Sequence, residues 1–332
     1  MHTLRNIFYY LVIAVGTLVI LASMFSLIHD VSYWYTKVLD FPRTQYLILG
    51  LVCLLLFLPL NRKWKAASVA WVVGLLAAIG VQAAFIAPYY LGEEKVPEAA
   101  AETARAENTV SVLIANVLIE NKSADAFLDI VRSRDPDMLL AMETDQWWID
   151  ALSPLEETYP HVVKYPTDNA YGMALYSRLP LVGTEIKFFN HDDVPSIHTR
   201  VELPSGQAFF FHGVHPVAPV PSKKYPDNQG EKEVALGKVA EMVAQESLPA
   251  IVAGDLNDVS WSNTARLFEQ QSDLRNVRLG RGLYNSFDAH SFIMRWPLDH
   301  YFVSEEFSLL ELERLPEFGS DHFPMYATFV LN

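Results

Sequence analysis

Three uncharged apolar runs fill most of residues 1–90, and nothing else in the chain limits its fold so strongly. Phe8 to Ile28 holds 21 residues without a charged side chain. At a rise of about 1.5 Å per residue, a helix of that length crosses a hydrocarbon layer of about 30 Å. Gln45 to Leu60 is shorter and carries Pro59, and Ala66 to Ala87 is again long and uncharged. A cleaved leader has an apolar stretch of only about 7–15 residues and is not followed by two further spans. The runs predict a membrane domain over 1–90 with three transmembrane helices at about 7–28, 45–60 and 66–87.

Charge divides the chain at the same place. Residues 1–107 carry eight Lys/Arg and seven Asp/Glu, whereas 108–332 carry 17 and 32, which concentrates the overall −14 in the second part. The sequence is 51% hydrophobic with a mean hydropathy of +0.14, so a disordered or fibrous chain is excluded. Cys53 is the lone cysteine, which rules out an intrachain disulfide framework and a cysteine-built zinc site. Arg62, Lys63 and Lys65 crowd the turn between the second and third spans and are expected to stay cytoplasmic. Arg5 agrees, and the first loop balances Asp30 and Asp40 against Lys37 and Arg43. A multi-pass protein of the plasma (inner) membrane follows, with the lipid bilayer as its partner and everything after Tyr90 on the extracytoplasmic side. Residues 91–108, rich in Glu and Ala, read as an acidic linker, a solvated tether or short exposed helix.

The remaining piece, 109–332, alternates short apolar runs with helical ones. Val110–Val117, Asp137–Glu143 and Pro249–Gly254 have the continuous apolar character of strands covered on both faces. Gly172–Ser177, Leu181–Phe189, Ile197–Leu203, Ala208–Val214, Pro297–Ser304 and Met325–Leu331 add further strands. Ser123 is placed to cap a helix running through Arg134, and Asn228–Gln245 has apolar residues at helical spacing. The fold class is α/β (α+β), two packed sheets flanked by helices.

Polar residues interrupt these strands at six places: Asn116, Glu143, His215, Asp255 with Asn257, Asp299, and Asp321 with His322. Burying an acid or amide where an aliphatic residue would serve is costly, so such substitutions need a reason. The ordered set resembles the endonuclease/exonuclease/phosphatase superfamily over about residues 108–332. Asn116 matches its early strand Asn, and Glu143-Thr144 its metal-binding Glu. Gly254-Asp255-Leu256-Asn257 and Ser320-Asp321-His322-Phe323-Pro324 match its two later motifs, with Tyr176-Ser177-Arg178 and Asp299-His300 in their places. The resemblance implies a four-layer sandwich of two mixed sheets between helices.

The chemistry of the side chains agrees. Asp255 and Asn257, two apart, leave one face of an extended segment. Glu143, Asn116 and Asp321 offer hard oxygen ligands suited to Mg²⁺ or Mn²⁺. His322 can take a proton from water, and the resemblance makes Asp299 its orienting carboxylate. His215 and Asn257 can donate to phosphoryl oxygens as charge develops. Arg178 is a candidate substrate phosphate contact. Taken singly, Asn116 can merely end a strand, Glu143 can precede a helix, and Asp255 to Asp258 can be a turn. His212 is expected on the opposite strand face from His215, His300 away from Asp299, and His191 and His198 on the surface or in loops. Trp147, Trp148, Trp261 and Trp296 are expected to pack rather than line a groove.

The expected activity is metal-dependent hydrolysis of a phosphodiester, whether nucleic acid, phospholipid head group or a small diester. Nucleic-acid binders carry a basic face; here the nearest thing is Arg275, Arg278 and Arg281, spaced by three. The alternative is a catalytically silent membrane binding module that kept the fold. Its mark would be a lost catalytic position, and all six places are intact.

Overall fold

A computed structural model describes residues 2–29, 34–102, 104–227 and 234–332. Asp30 of the first loop and the expected helix start at Asn228 lie outside the described residues. The chain begins with α1 (His2–Phe25), α2 (Trp34–Lys37), a short 3-10 turn (Val38–Asp40), α3 (Arg43–Leu60) and α4 (Ala66–Leu91). Three of these helices, α1, α3 and α4, are long and apolar enough to cross a membrane. Val12, Val19, Cys53, Phe57 and Leu75 form their shared interior. A Cβ at Gly16 would sit 2.4 Å from the Trp71 ring, so a small residue sets the close approach of α1 to α4.

Arg43 and Asp40, counted above as balanced loop charges, are both buried and paired with each other. Arg43 also donates to Gln82 Oε1 at 3.0 Å and to the Ser26 carbonyl at 3.0 Å. Partnering is what makes a buried guanidinium tolerable.

The second part runs β1 (Thr109–Asn116), α5 (Ala124–Arg134), β2 (Met138–Met142), α6 (Gln146–Ala151), β3 (His161–Tyr165), β4 (Met173–Ser177), β5 (Leu181–Phe188), β6 (Pro195–Glu202) and β7 (Ala208–Gly213). It continues with α7 (Ala235–Val243), β8 (Ala250–Asp255), α8 (Asn263–Ser272), β9 (Arg275–Asn276), β10 (Asp299–Val303), β11 (Phe307–Arg314) and β12 (Met325–Leu331). One sheet has the order β11-β12-β1-β2-β4-β3 and the other β5-β6-β7-β8-β10-β9. Ile114, Leu140, Phe211, Ile251, Tyr301 and Phe329 meet between the sheets. Their neighbours Leu113 and Leu139 face outward against Phe127 of α5 and Trp148 of α6. On the other side, Val252 and Phe302 face Val239 of α7 and Phe268 of α8. Central strands are thus covered on both faces, which is why they read as unbroken apolar runs.

Local signals behave unevenly. The Asp145 side chain caps α6 by accepting from Trp148 N at 2.8 Å, and the Ser262 side chain caps α8 by accepting from Ala265 N at 3.0 Å. Ser123, expected as a cap, makes no side-chain cap to α5. Its own backbone N–H instead donates to Asn121 Oδ1 at 3.0 Å.

The candidate membrane helices rest on the sandwich. Phe41, Ile86 and Tyr89 pack with Val259, Trp261, Leu283 and Leu298 in one buried cluster. Trp261 Nε1 donates to the Asp40 carbonyl at 2.7 Å, and Gly280 N to that of Pro88 at 3.1 Å. Residues 91–108, expected as a solvated tether, include a fully buried Val96. Glu98 bridges to Leu309 of β11, and Leu309 N donates to the Pro97 carbonyl at 2.8 Å.

Candidate active site

β1 and β2 are parallel, as are β7 and β8, while β10 and β12 run antiparallel to their neighbours β8 and β1. The ends of the first four strands and the starts of the last two therefore open on one pit. Asn116, Asp255 and Asp299 sit on these strand ends. Glu143 follows β2, His215 and Asn257 follow β7 and β8, and His322 precedes β12. The last residue of one strand and the first of another thus supply the same site.

Asn116 Nδ2 bridges the sheets, donating to Glu143 Oε1 at 2.8 Å and Asp255 Oδ2 at 3.1 Å. Its own oxygen accepts from Leu118 N at 3.0 Å. Glu143 Oε2 also accepts from Ile119 N at 3.3 Å. His322 Nδ1 meets Asp299 Oδ2 at 2.7 Å, which turns Nε2 toward Asp255 Oδ2 at 3.5 Å. His215 Nε2 lies 3.6 Å from the same Asp255 oxygen. Asp255 Oδ1 accepts from Asn257 N at 2.8 Å, and Asn257 Nδ2 donates to the Pro216 carbonyl at 3.0 Å.

Backbone strain accompanies the geometry. Glu143 and Asn257 hold φ of 62° and 51°, left-handed values uncommon away from glycine and concentrated at functional sites. At Gly254, φ is 147° and a Cβ would stand 1.9 Å from the Val214 carbonyl oxygen. Only glycine lets the end of β8 approach the segment that carries His215 so closely.

Burial governs the electrostatics. Desolvation pushes the Glu143 carboxyl up to about 7, with the Asn116 hydrogen bond opposing and the like charge of Asp321 adding. Desolvation also raises Asp255, against the opposing charge of His322. For His322, burial disfavours the charge, but Asp299 and Asp255 outweigh it and carry the imidazole well above its ordinary value. For Asp299, the charge and hydrogen bond of His322 win over burial and hold the carboxyl below its ordinary value. His215 is pushed down to about 3 by burial, helped by the charge of His322, so its ring is neutral. Its Nδ1 is buried without a partner, as is Asp321 Oδ1.

That orphaned Asp321 oxygen bears on metal binding. Glu143 and Asp321 are hard oxygen donors close enough to repel, and a divalent cation between them, beside Asn116, fits both the repulsion and the orphan. Asp255, Asp299 and His322 also bring three potential ligand atoms within 4.8 Å of one another. There, the 2.7 Å contact of His322 with Asp299 is a hydrogen bond that fixes the orientation of the ring.

Eight of the nine expected residues gather at the pit. Arg178 does not. β4 is antiparallel to β2, so its end pairs with the start of β2, Ser177 opposite Met138, at the far side of the sheet from Glu143. There Arg178 holds the Asp135 side chain and lies over the Tyr159 ring. His300 faces away from the pit as expected, donating or accepting among Asp258, Ser260 and Arg278. His212, for which a packed and an exposed place were both open, is buried with Nε2 3.0 Å from Glu246 Oε2. His198, expected at the surface, is buried against it, Nδ1 to Nδ1 at 2.8 Å.

Three supporting residues were given no role in the sequence reading. Ser320 Oγ donates to the Asn116 carbonyl at 2.8 Å and accepts from His322 N at 3.0 Å, tying the two ends of the site together. Ser286 Oγ accepts from Leu298 N and Asp299 N, both at 3.1 Å. Phe287 packs its ring 4.9 Å from that of His322. Only Ser320 had a signal, its place inside the Ser320–Pro324 motif.

A two-sheet sandwich whose open end joins carboxylates, amides and an Asp-oriented imidazole defines a phosphoester hydrolase. The chain belongs to the Endonuclease/Exonuclease/phosphatase family, whose sequence model matches residues 113–322. No curated protein matches the chain in sequence. Among solved structures, D. rerio TDP2 complexed with a single-strand DNA product is 17% identical, with a TM-score of 0.53 over 67% of this chain and 98% of that one. The human Nocturnin catalytic domain with bound sulfate is 17% identical, with a TM-score of 0.55 over 69% and 96%. An endonuclease/exonuclease/phosphatase from Beutenbergia cavernae is 17% identical, with a TM-score of 0.53 over 68% and 72%. At such identities the likeness is one of fold.

Proposed function

We propose that this protein is a membrane-anchored, Mg²⁺- or Mn²⁺-dependent phosphodiesterase whose catalytic part, residues 109–332, lies outside the cytoplasm. The observation that carries the reading is the chain Asp299–His322–Asp255 beside Asn116 and Glu143 in one buried pit. Glu143 and Asp321, with Asn116 alongside, would hold a divalent cation, which would supply positive charge against the phosphate and the leaving oxygen. Asp299 keeps the His322 ring in one orientation with Nε2 facing Asp255. Asp255, facing His322 Nε2, takes the proton of the attacking water, and the charged His322 ring steadies that carboxylate. Asn257 steadies Asp255 through its backbone N–H, and the neutral His215 ring offers an N–H to the phosphoryl oxygens as they gain charge.

Sidedness rests on the helices. The start of α3 and the end of α4 contact the sandwich, so the exposed Arg62, Lys63 and Lys65 stand at the opposite ends, where a cytoplasmic position suits them. The arrangement of arginines argues against long nucleic acid. Arg275 is engaged with Glu305, Arg281 with Glu94, and Arg278 is buried on the Asp299 carbonyl and His300, so the candidate basic row is spent inside the molecule.

The test is hydrolysis of bis-p-nitrophenyl phosphate by full-length protein in detergent or nanodiscs, with Mg²⁺, with Mn²⁺ and with EDTA. Metal-dependent turnover that disappears in His322→Ala is expected. Silence with either metal across a panel of phosphodiesters ends this reading. A C-terminal alkaline phosphatase fusion that is inactive in cells would end the assignment of side.

A further inference from the structure

Between β9 and β10 the chain displays three consecutive large apolar side chains, Phe292, Ile293 and Met294, exposed by 92%, 75% and 47%. A contiguous apolar patch of this kind marks a contact surface. The loop is internally braced. Phe287 and Trp296 pair across its base with stacked rings 6.1 Å apart. Ser291 Oγ accepts from Met294 N at 2.9 Å, and Arg295 closes back on the carbonyls of Ser291 and Ala289. A braced loop holds its apolar tip outward at little further ordering cost.

Its height is set by the membrane helices. Gln45, in the first turn of α3, donates through Nε2 to the Ile293 carbonyl at 2.7 Å. Trp296 meets Phe41 edge-on at 5.6 Å. The tip therefore stands level with the point where a candidate membrane span begins. Arg295 lies over the rings of Phe292 and Phe323 at 5.4 and 4.9 Å, which places a cation beside the apolar tip. The base of the same loop walls the pit: Phe287 packs on His322, and Ala289 N donates to the Asp321 carbonyl at 2.7 Å.

We propose that the 292–294 tip is seated in the lipid interface beside α3, and that the pit consequently acts on phosphodiesters carried by lipids of that same bilayer. The second half rests on the phosphodiesterase reading; the seat does not. Continuity with α3 selects lipid over a protein partner as the occupant, since any neighbour covering the tip must share its level with the start of the span.

Full-length protein carrying Cys53→Ala and Phe292→Cys, labelled with an environment-sensitive fluorophore, is placed in nanodiscs of phosphatidylcholine and phosphatidylglycerol. Quenching by brominated lipid and shielding from aqueous iodide are expected. Free iodide quenching overturns the seat and would point to a protein partner instead. In unlabelled protein, cleavage of phosphatidylcholine, phosphatidylethanolamine or phosphatidylglycerol is compared with that of bis-p-nitrophenyl phosphate. The F292S/I293S/M294S variant is expected to lower the lipid-to-soluble rate ratio at least tenfold. An unchanged ratio, or a wild type that cleaves the soluble ester and none of the lipids, overturns the substrate assignment. Silence on both kinds of ester fails the phosphodiesterase reading and the lipid assignment together, while the quenching result still decides the seat.

Discussion

Replacing Trp261 separates a docked membrane piece from one that merely trails. Its side chain is buried, 5.9 Å from the Tyr89 ring, and its indole N–H holds the Asp40 carbonyl at 2.7 Å. Trp261→Phe keeps an aromatic ring but leaves that carbonyl unpaired, a cost of about 1–3 kcal/mol. Trp261→Ala removes the packing as well, about 3–5 kcal/mol in a site that cannot fully collapse. At about 2–4 °C per kcal/mol for a domain of this size, midpoints should fall by roughly 2–12 °C and 6–20 °C respectively. Thermal unfolding in nanodiscs, followed by near-ultraviolet circular dichroism, reads this order. Trp261 also closes the stretch that opens with Asp255 and Asn257, so the Ala variant should lose more kcat at 25 °C than the Phe variant. A midpoint within about 1 °C of wild type for Trp261→Ala would refute docking, because so large a buried side chain cannot be removed from a formed interface without cost.

Three other changes probe the site and its frame. Asp299→Asn preserves shape but removes the charge that orients His322; kcat is expected to fall about 10²–10⁴-fold with a much smaller change in KM, and near-normal turnover would remove the pair from the chemistry. Gly254→Ala forces a Cβ to 1.9 Å from the Val214 carbonyl oxygen, and a loss of folded protein or a midpoint drop of at least 10 °C, roughly 3 kcal/mol or more, is expected by the same unfolding assay. His300 faces Arg278 Nη1 at 3.1 Å through Nδ1, and burial, followed by that cation, pushes its ring down to about 3 against an ordinary 6.5. Because the unfolded chain takes up a proton that the folded ring refuses, this contribution is whole above pH 6.5 and is lost as pH falls toward 3. Midpoints measured from pH 7 to pH 4.5 should therefore fall more steeply for wild type than for His300→Gln, and parallel curves would contradict the assignment.

Legibility in the sequence tracked how locally each feature is encoded. Strands such as β1 and β8 announced themselves because both faces are covered, leaving an apolar run from Val112 to Ala115 before Asn116 and from Ala250 to Gly254 before Asp255. β3 and β11 were not read, since His161–Tyr165 is half-exposed throughout and the buried run of Phe307–Arg314 stops at Leu309, before a charged alternation. The site residues were found by residue type and order, but side and depth depend on strand direction. Arg178 failed for that reason: its motif was in place, and an antiparallel strand carried it to the wrong end. His198 failed because β6 pairs it with His212, a contact 14 residues away that no local pattern reports.

The junction was the least legible feature and changes the meaning of the membrane helices. Nothing in 1–90 or 109–332 alone says that Phe41, Ile86 and Tyr89 find Val259, Trp261 and Leu298. Yet the segment from Asp255 to Trp261 bears residues of the candidate site at one end and the contact with Asp40 at the other, with Asn257 in a left-handed conformation between them. Such strain persists only where the surroundings over-determine it. Part of that determination comes from Trp261 held by Asp40 and Tyr89, so the candidate membrane helices contribute to the frame of the pit. Removing residues 1–99 should therefore cost activity as well as location, because Pro97 and Ala99 leave their places on Leu309 of β11 and the Trp261 cluster loses three of its seven buried residues.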